Sequence, residues 1–265
     1  MSERYTHGYA ESVLRSHSWR TVDNSAAYLA PHLQAGMSVL DVGSGPGTIT
    51  VDLARRVAPG VVTAVEMSAE ALELTREHAR QQGVDVRGVV ADVHQLELAD
   101  GCFDVVHAHQ VLQHVSDPVR ALAEMQRVCA PGGVVAARDA DYGAFAWFPA
   151  VPELDEWLRL YRQAARDNGA EPDAGRRLLS WARAAGFTDV TATSSTWCHA
   201  SALERRWWGE LWAERIVGSA LTEQLLASGA ATRDDLQRIS DGWRTWAASE
   251  DGWFSVLHGE VLARA

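Results

Sequence analysis

From Ser38 onward, short apolar runs alternate with segments whose apolar side chains recur every three or four residues. The runs "SVLDVG", "GVVTAVEM", "VDVRGVVAD", "CFDVVHAHQ" and "GGVVAARD" are strand-like and apolar through both faces. Strands buried on both faces and joined by crossovers make a parallel sheet covered by helices. The spacing between them predicts helices over about 47–58, 69–82 and 117–129, with a short, weakly patterned one between the third and fourth strands. Right-handed crossovers make such a sheet doubly wound. Residues 1–37, polar with spaced apolar positions, predict one or two helices ahead of the first strand.

Beyond Asp139 the pattern loosens. "DADYGAFAWFPAVP" reads as a loop, and residues 152–168 and 172–185 read as helices, the second stopped by Gly186. "FTDVTATSSTW" alternates as a sixth strand. Residues 201–249 return to helical spacing, with Leu203, Trp207, Trp208, Leu211, Trp212 and Ile216 at steps of three and four, and a seventh strand runs over about 253–263. The prediction is an α/β protein: a doubly wound seven-stranded sheet with helices on both faces. An N-terminal helical segment spans 1–36, the α/β domain 37–265, and a helical cap is inserted between strands six and seven at about 199–250.

Composition narrows the function. The formal charge of −11 and the absence of a basic run argue against nucleic acid. Cys102, Cys129 and Cys198 form no Cys-x-x-Cys unit, so no disulfide framework or zinc site is expected. The first thirty residues lack the apolar core of a signal peptide, and no apolar stretch is long enough to span a bilayer. A cytoplasmic, metal-free protein, monomeric or homodimeric, is expected. Ten of the eleven tryptophans lie at or after Trp147.

The chemistry centres on "VLDVGSGPGTIT", Val39–Thr50. Gly43, Gly45 and Gly47 let the backbone turn tightly and approach a ligand, and Pro46 sits where a helix is expected to begin. The dinucleotide fingerprint Gly-x-Gly-x-x-Gly would need a glycine where Thr48 stands. Asp41, closing the first strand, would repel a pyrophosphate and attract an ammonium or sulfonium. Two unit charges ~4 Å apart interact by about 4 kcal/mol at an effective dielectric near ~20. Glu66 ends the second strand 19 residues after Gly47, where it can accept both hydroxyls of a ribose, and Asp92 ends the third, where it can accept from an adenine amino group.

The series "VLDVGSGPGTIT", "VTAVEMS", "VVADVHQLELADGCFDVVHAHQVLQHVSDP" and "RVCAPGGVVAARD" resembles class I S-adenosylmethionine (SAM)-dependent methyltransferases over about residues 37–140. The closest style is that of the group containing the ubiquinone and menaquinone C-methyltransferases. The resemblance implies a Rossmann-like sheet with an antiparallel seventh strand, SAM as cofactor and S-adenosylhomocysteine as product. It also implies that Asp41, Gly43, Ser44, Gly45 and Gly47 hold the methionine part. Glu66 would bind the ribose, Met67 pack on the adenine, Asp92 and Val93 meet the adenine edge, and His109 and Gln110 border the sulfonium.

Methyl transfer is an in-line displacement at an already activated carbon, so a base is needed only where the acceptor must lose a proton. Candidates at the ligand ends of strands four and five are His109, Asp139 and Tyr142, with Asp141 beside them. His107 and His109 alternate on one strand face, without further spacing that would suggest a metal. Tyr5, His7, Tyr9, His114 and Trp147 are candidates for contact with the acceptor. The expected acceptor is a small aromatic or heterocyclic molecule in specialised metabolism, with an indole or quinol as a subcase and the methylated atom open. A nicotinamide-dependent oxidoreductase is disfavoured by Asp41 and Thr48, and a non-catalytic SAM-binding protein is the other alternative.

Overall fold

A computed structural model describes residues 17–265 of the protein. The apolar runs become β1 (Val39–Val42), β2 (Val62–Glu66), β3 (Val86–Val90), β4 (Phe103–His109) and β5 (Cys129–Ala140). After them come a short β6 (Ala146–Phe148), then β7 (Val190–His199) and β8 (Trp253–Arg264). The helices, in chain order, are α1 (Val22–Ser25), α2 (Thr48–Val57), α3 (Ala69–Gln81), α4 (Pro118–Val128), α5 (Pro152–Asp167), α6 (Leu178–Ala184), α7 (Ala202–Val217), α8 (Ala220–Ala227) and α9 (Arg233–Ala248).

β1 pairs in parallel with β2 and β4, β2 with β3, and β4 with β5. β8 closes the series antiparallel to β5 and also pairs β7, giving the order β3-β2-β1-β4-β5-β8. This is the Rossmann-like, doubly wound sheet. The strand order reverses between β1 and β4, where such sheets bind their ligands. Among the described residues the strands number eight, because Ala146–Phe148, expected as loop, pairs with the start of β8, Phe148 opposite Trp253.

The chain divides into two compact units. One is His17–Ala140, Ala174–Ser195 and His258–Ala265; the described residues of the other are Asp141–Asp173 and Thr196–Leu257. In the first, the sheet is apolar on both faces, as parallel strands covered by helices must be. Leu40, Val106, Val135 and Ala137 pack with Leu122, Met125 and Leu178 of α4 and α6. Val39, Val105 and Ala136 pack with Leu53 and Val57 of α2. Asp117 caps α4, its side chain accepting from Arg120 N at 3.0 Å, and Pro118 stands at the first turn, where no N–H partner is lost.

Two expectations are corrected. No helix forms between β3 and β4, where residues 91–102 run as turns and bends. The Asp92 carboxylate accepts from His94 N, Glu124 accepts from Leu96 N, and Arg127 donates to the carbonyls of Leu96 and Leu98. Side chains therefore satisfy backbone groups that a helix would have paired. Pro46 also precedes its helix, since α2 starts at Thr48 behind Gly47.

In the second unit α5, α7 and α9 bury the tryptophans against one another. Trp157 meets Trp212 and Trp243 edge to face, at centroid distances of 4.5 and 4.8 Å. Such geometry suits the ring quadrupoles. A Cβ on Gly209 would lie 2.6 Å from that of Ala247, so α7 and α9 approach more closely than any side chain there would allow. The three helices of the predicted insertion share this unit with residues 141–173. Among the described residues no helix is long and apolar enough to cross a membrane.

One ion pair is fully internal to the first unit. Arg138 Nε donates to Glu260 Oε1 at 3.2 Å, Ser195 donates to the same oxygen, and Thr193 donates to Oε2 at 2.8 Å. Arg138 and Glu260 are 1% and 6% exposed. Removing one member of a buried pair leaves the other charge uncompensated. Glu260→Ala is expected to cost about 3–5 kcal/mol, and Glu260→Gln less. The urea midpoint would show this as a shift without a change in slope.

Candidate active site

The loop after β1 is built on three left-handed glycines: φ is 69° at Gly43, 56° at Gly45 and 80° at Gly47. Two of them also mark close approaches. A Cβ on Gly43 would lie 2.4 Å from Val111 Cγ2, and one on Gly47 2.9 Å from the Thr75 backbone. Ser44 shares a 2.8 Å hydrogen bond with the Thr75 hydroxyl, which donates to Gly45 O, also at 2.8 Å. β1, α3 and the turn after β4 thus fix the loop from three sides.

Asp41 is the third residue of β1 and not its end, and it is 3% exposed. Its Oδ2 accepts from the Thr50 hydroxyl at 2.6 Å, and its Oδ1 meets His107 Nδ1 at 2.8 Å. The expectation that Asp41 faces a ligand from the strand end is therefore corrected. The carboxylate lies beneath the loop and braces β1 to α2 and β4, and its charge acts from there. Thr50 and His107 are functional residues that the sequence did not single out in this role.

Glu66 ends β2 as expected. Its Oε1 accepts from Gly45 N at 2.6 Å and its Oε2 from Met67 N at 3.3 Å, and burial raises its pKa. Met67 is 55% exposed at the same end, whereas Val93 is packed into the core. Asp92 lies just past β3, in a turn, where it accepts from His94 N and contacts His94 Nδ1 at 2.7 Å. Those contacts with His94 hold its pKa below the usual value.

At the end of β4, in the turn after it and inside the end of β5 stands a second group. His109 is 6% exposed; burial, with the Arg20 and Arg138 charges, lowers its pKa well below the usual value, so the ring is neutral at neutral pH. Gln110 follows with φ at 54°. Asp139 is fully buried and accepts backbone N–H groups of Gln113, at 3.0 Å, and Leu112; its Oδ2 is buried without a hydrogen-bond partner. Burial raises its pKa to about 7. Gln113 was missed: it locks the pair of turns by accepting from Ala140 N at 3.1 Å and contacting His114 Nε2 at 2.9 Å. Burial lowers His114 to about 3, so it is a neutral ring held by Gln113.

Tyr142 and Trp147 belong to the second unit. The Tyr142 ring is 6% exposed, stacked on Tyr161 at 4.1 Å, and Trp147 stacks on Phe254 at 5.6 Å. Asp141 is buried, its backbone N–H bonded to Leu257 O. Tyr5, His7 and Tyr9 lie outside the described residues. Among the described residues no group of three or more His, Cys, Asp or Glu is placed to hold a metal ion.

A glycine cradle at the sheet's reversal point, with Glu66 at the end of the adjoining β2 and Asp92 just past β3, is the arrangement of a nucleoside-binding α/β enzyme of the methyltransferase class. Residues 33–214 match the methyltransferase domain family, and the chain belongs to it as a class I SAM-dependent methyltransferase. An uncharacterized methyltransferase of Schizosaccharomyces pombe is 32% identical, over 97% of this chain and 95% of its own. The ubiquinone/menaquinone biosynthesis C-methyltransferase UbiE of Bdellovibrio bacteriovorus is 40% identical over 38% of this chain and 43% of its own. In fold, the chain is similar to Haemonchus contortus phosphoethanolamine N-methyltransferase 2 in complex with S-adenosylhomocysteine. The TM-score is 0.61 at 17% identity, covering 97% of this chain and 57% of the other.

The residues present fit SAM. Among the described residues other than its chain neighbours, only His17 Nδ1, at 4.0 Å, lies within 4 Å of the place a Cβ on Gly45 would take, so those residues leave the backbone there open to a ligand. Glu66 stands at the adjacent strand end. Glu66→Ala removes a charged acceptor and the brace on Gly45. It is expected to weaken S-adenosylhomocysteine binding by about 1.5–3 kcal/mol, read by calorimetry.

Asp139 makes a pH prediction. In the unfolded chain its pKa is about 3.9, and in the folded chain about 7. Between these values the native state holds a proton that the unfolded state has lost, so stability falls as pH rises through about 4 to 7, by up to about 4 kcal/mol. Denaturation of Asp139→Asn should lack this decline, and parallel profiles for the two proteins would refute it.

Proposed function

We propose that the protein methylates a small, electron-rich aromatic or heterocyclic acceptor, and that Asp139, with neutral His109 on the adjoining strand, receives the proton the acceptor gives up. The observation that carries this is the buried Asp139 carboxyl at the end of β5, with one oxygen lacking a hydrogen-bond partner and a pKa near 7. A base poised near neutrality suits an acceptor that must lose a proton, as a phenol, a quinol or a ring carbon or nitrogen does. The relative named for ubiquinone and menaquinone C-methylation supports a quinol-like ring.

SAM supplies a methyl carbon already activated by its sulfonium. Gly43, Ser44, Gly45 and Gly47 would hold its methionine part, Glu66 its ribose, and Met67, Asp92 and Val93 its adenine. The work of this chain is then to hold the acceptor within ~3–3.5 Å of that carbon and to take a proton. Trp147, half-buried and flat against Phe254, is the aromatic candidate for contact with the acceptor ring.

The test measures S-adenosylhomocysteine release with a panel of a quinol, a catechol, an indole, an aliphatic amine and a thiol. Turnover is expected with the aromatic members, and Asp139→Asn should lower kcat about 10²–10⁴-fold. Turnover confined to the amine or thiol, or wild-type kcat in both Asp139→Asn and His109→Ala, would overturn the reading.

A further inference from the structure

Gln110 is the single non-glycine residue with positive φ among the described residues, and it lies at the turn that follows β4. A side chain resists that conformation, so its surroundings must hold it. Its backbone N–H donates to Arg138 O at 2.7 Å. Its side chain is fixed at both ends. Arg20 Nη2 donates to Oε1 at 2.8 Å, and Nε2 meets His258 Nε2 at 2.9 Å. An amide nitrogen only donates, so His258 accepts at Nε2 and carries its proton on Nδ1. His258 is fully buried, and its ring stacks beside that of His109 at 6.2 Å.

The turn held in this way abuts the cofactor loop. Val111, the next residue, fills the space a Cβ on Gly43 would need. The segment carrying Arg20 is anchored to the same loop, because the Thr48 hydroxyl donates to His17 O at 3.2 Å. Arg20, Gln110 and His258 come from three distant parts of the chain and make one clasp, whose middle member sets where Val111 presses on Gly43.

We propose that Arg20 and His258 are positioning residues for the cofactor, acting through the Gln110 amide and Val111 on the glycine loop. The chemistry requires an acceptor atom at position 258, and ring volume alone does not supply one. Glutamine, whose Oε1 reaches about as far from the backbone as the imidazole Nε2, can offer its carbonyl oxygen to the Gln110 amide, whereas phenylalanine fills the space and offers nothing.

Calorimetry with S-adenosylhomocysteine on the full chain tests this. His258→Phe and Arg20→Ala are each expected to weaken binding about five- to tenfold, the scale of one hydrogen bond. His258→Gln should stay within about twofold of wild type. The double variant Arg20→Ala/His258→Phe should lose less than the product of the single losses, because both act on one amide. Thermal melting without ligand is measured in parallel. Wild-type affinity in His258→Phe, or an equal loss in His258→Phe and His258→Gln, would overturn the proposal, the latter by showing that packing alone matters. Should His258→Phe fail to fold, Arg20→Ala decides, since Arg20 is only partly buried; unchanged affinity there would overturn the clasp.

Discussion

The rest of the site depends on a buried carboxylate. Asp41 stands inside β1 and holds the Thr50 hydroxyl and the His107 ring, one from the helix after the glycine loop and one from the neighbouring strand. A loop of three left-handed glycines has few side chains of its own with which to hold its shape, Ser44 on Thr75 being one. Its position is set from below by Asp41 and from the sides by Thr75 and Val111. The glycines give the backbone its freedom to approach a ligand, and the carboxylate removes the freedom that would otherwise blur that approach.

The same economy recurs across the sheet. On one face, alternate positions of β4, β5 and β8 carry His107, His109, Arg138, His258 and Glu260 in place of apolar side chains. Glu260 answers Arg138 with two further hydroxyl donors, and Gln110 answers His258. On the other face Asp139 is braced by backbone N–H groups alone, and this leaves its pKa near neutrality. Burial raises the pKa of Asp139, the group proposed as the base; Asp41, held by Thr50 and His107, is a brace.

The fold was legible because its signals are local. Apolar runs, their spacing and the glycine loop place β1 to β5 and the helices α2, α3 and α4 within three residues. Glu66 was legible for the same reason, as the acid at the end of a strand. Side-chain contacts over long sequence distances were not. Nothing near Asp41 announces that His107, 66 residues on, will take one of its oxygens. The segment after β3 looked weakly helical because its backbone partners, Glu124 and Arg127, lie in α4. His258 and Glu260 did leave a trace: they occupy the alternating inward positions of β8 that Phe254 and Val256 hold earlier. A polar residue at a core position of a strand implies a buried partner, though the pattern cannot name it.

The tryptophans show why composition alone misleads about the acceptor. Their helical spacing pointed to packing for most of them, with two or three left to line a pocket, and Trp157, Trp212, Trp243 and Trp246 are almost wholly buried and pack on one another. Edge-to-face rings at 4.5 to 4.8 Å have no room between them for a ligand. They build the second unit and cannot line a pocket. Trp147 differs, since it is only half-buried and one of its faces is spent on Phe254. The case for an aromatic acceptor therefore rests on the base available to it, Asp139, and only secondarily on the aromatic content of the chain.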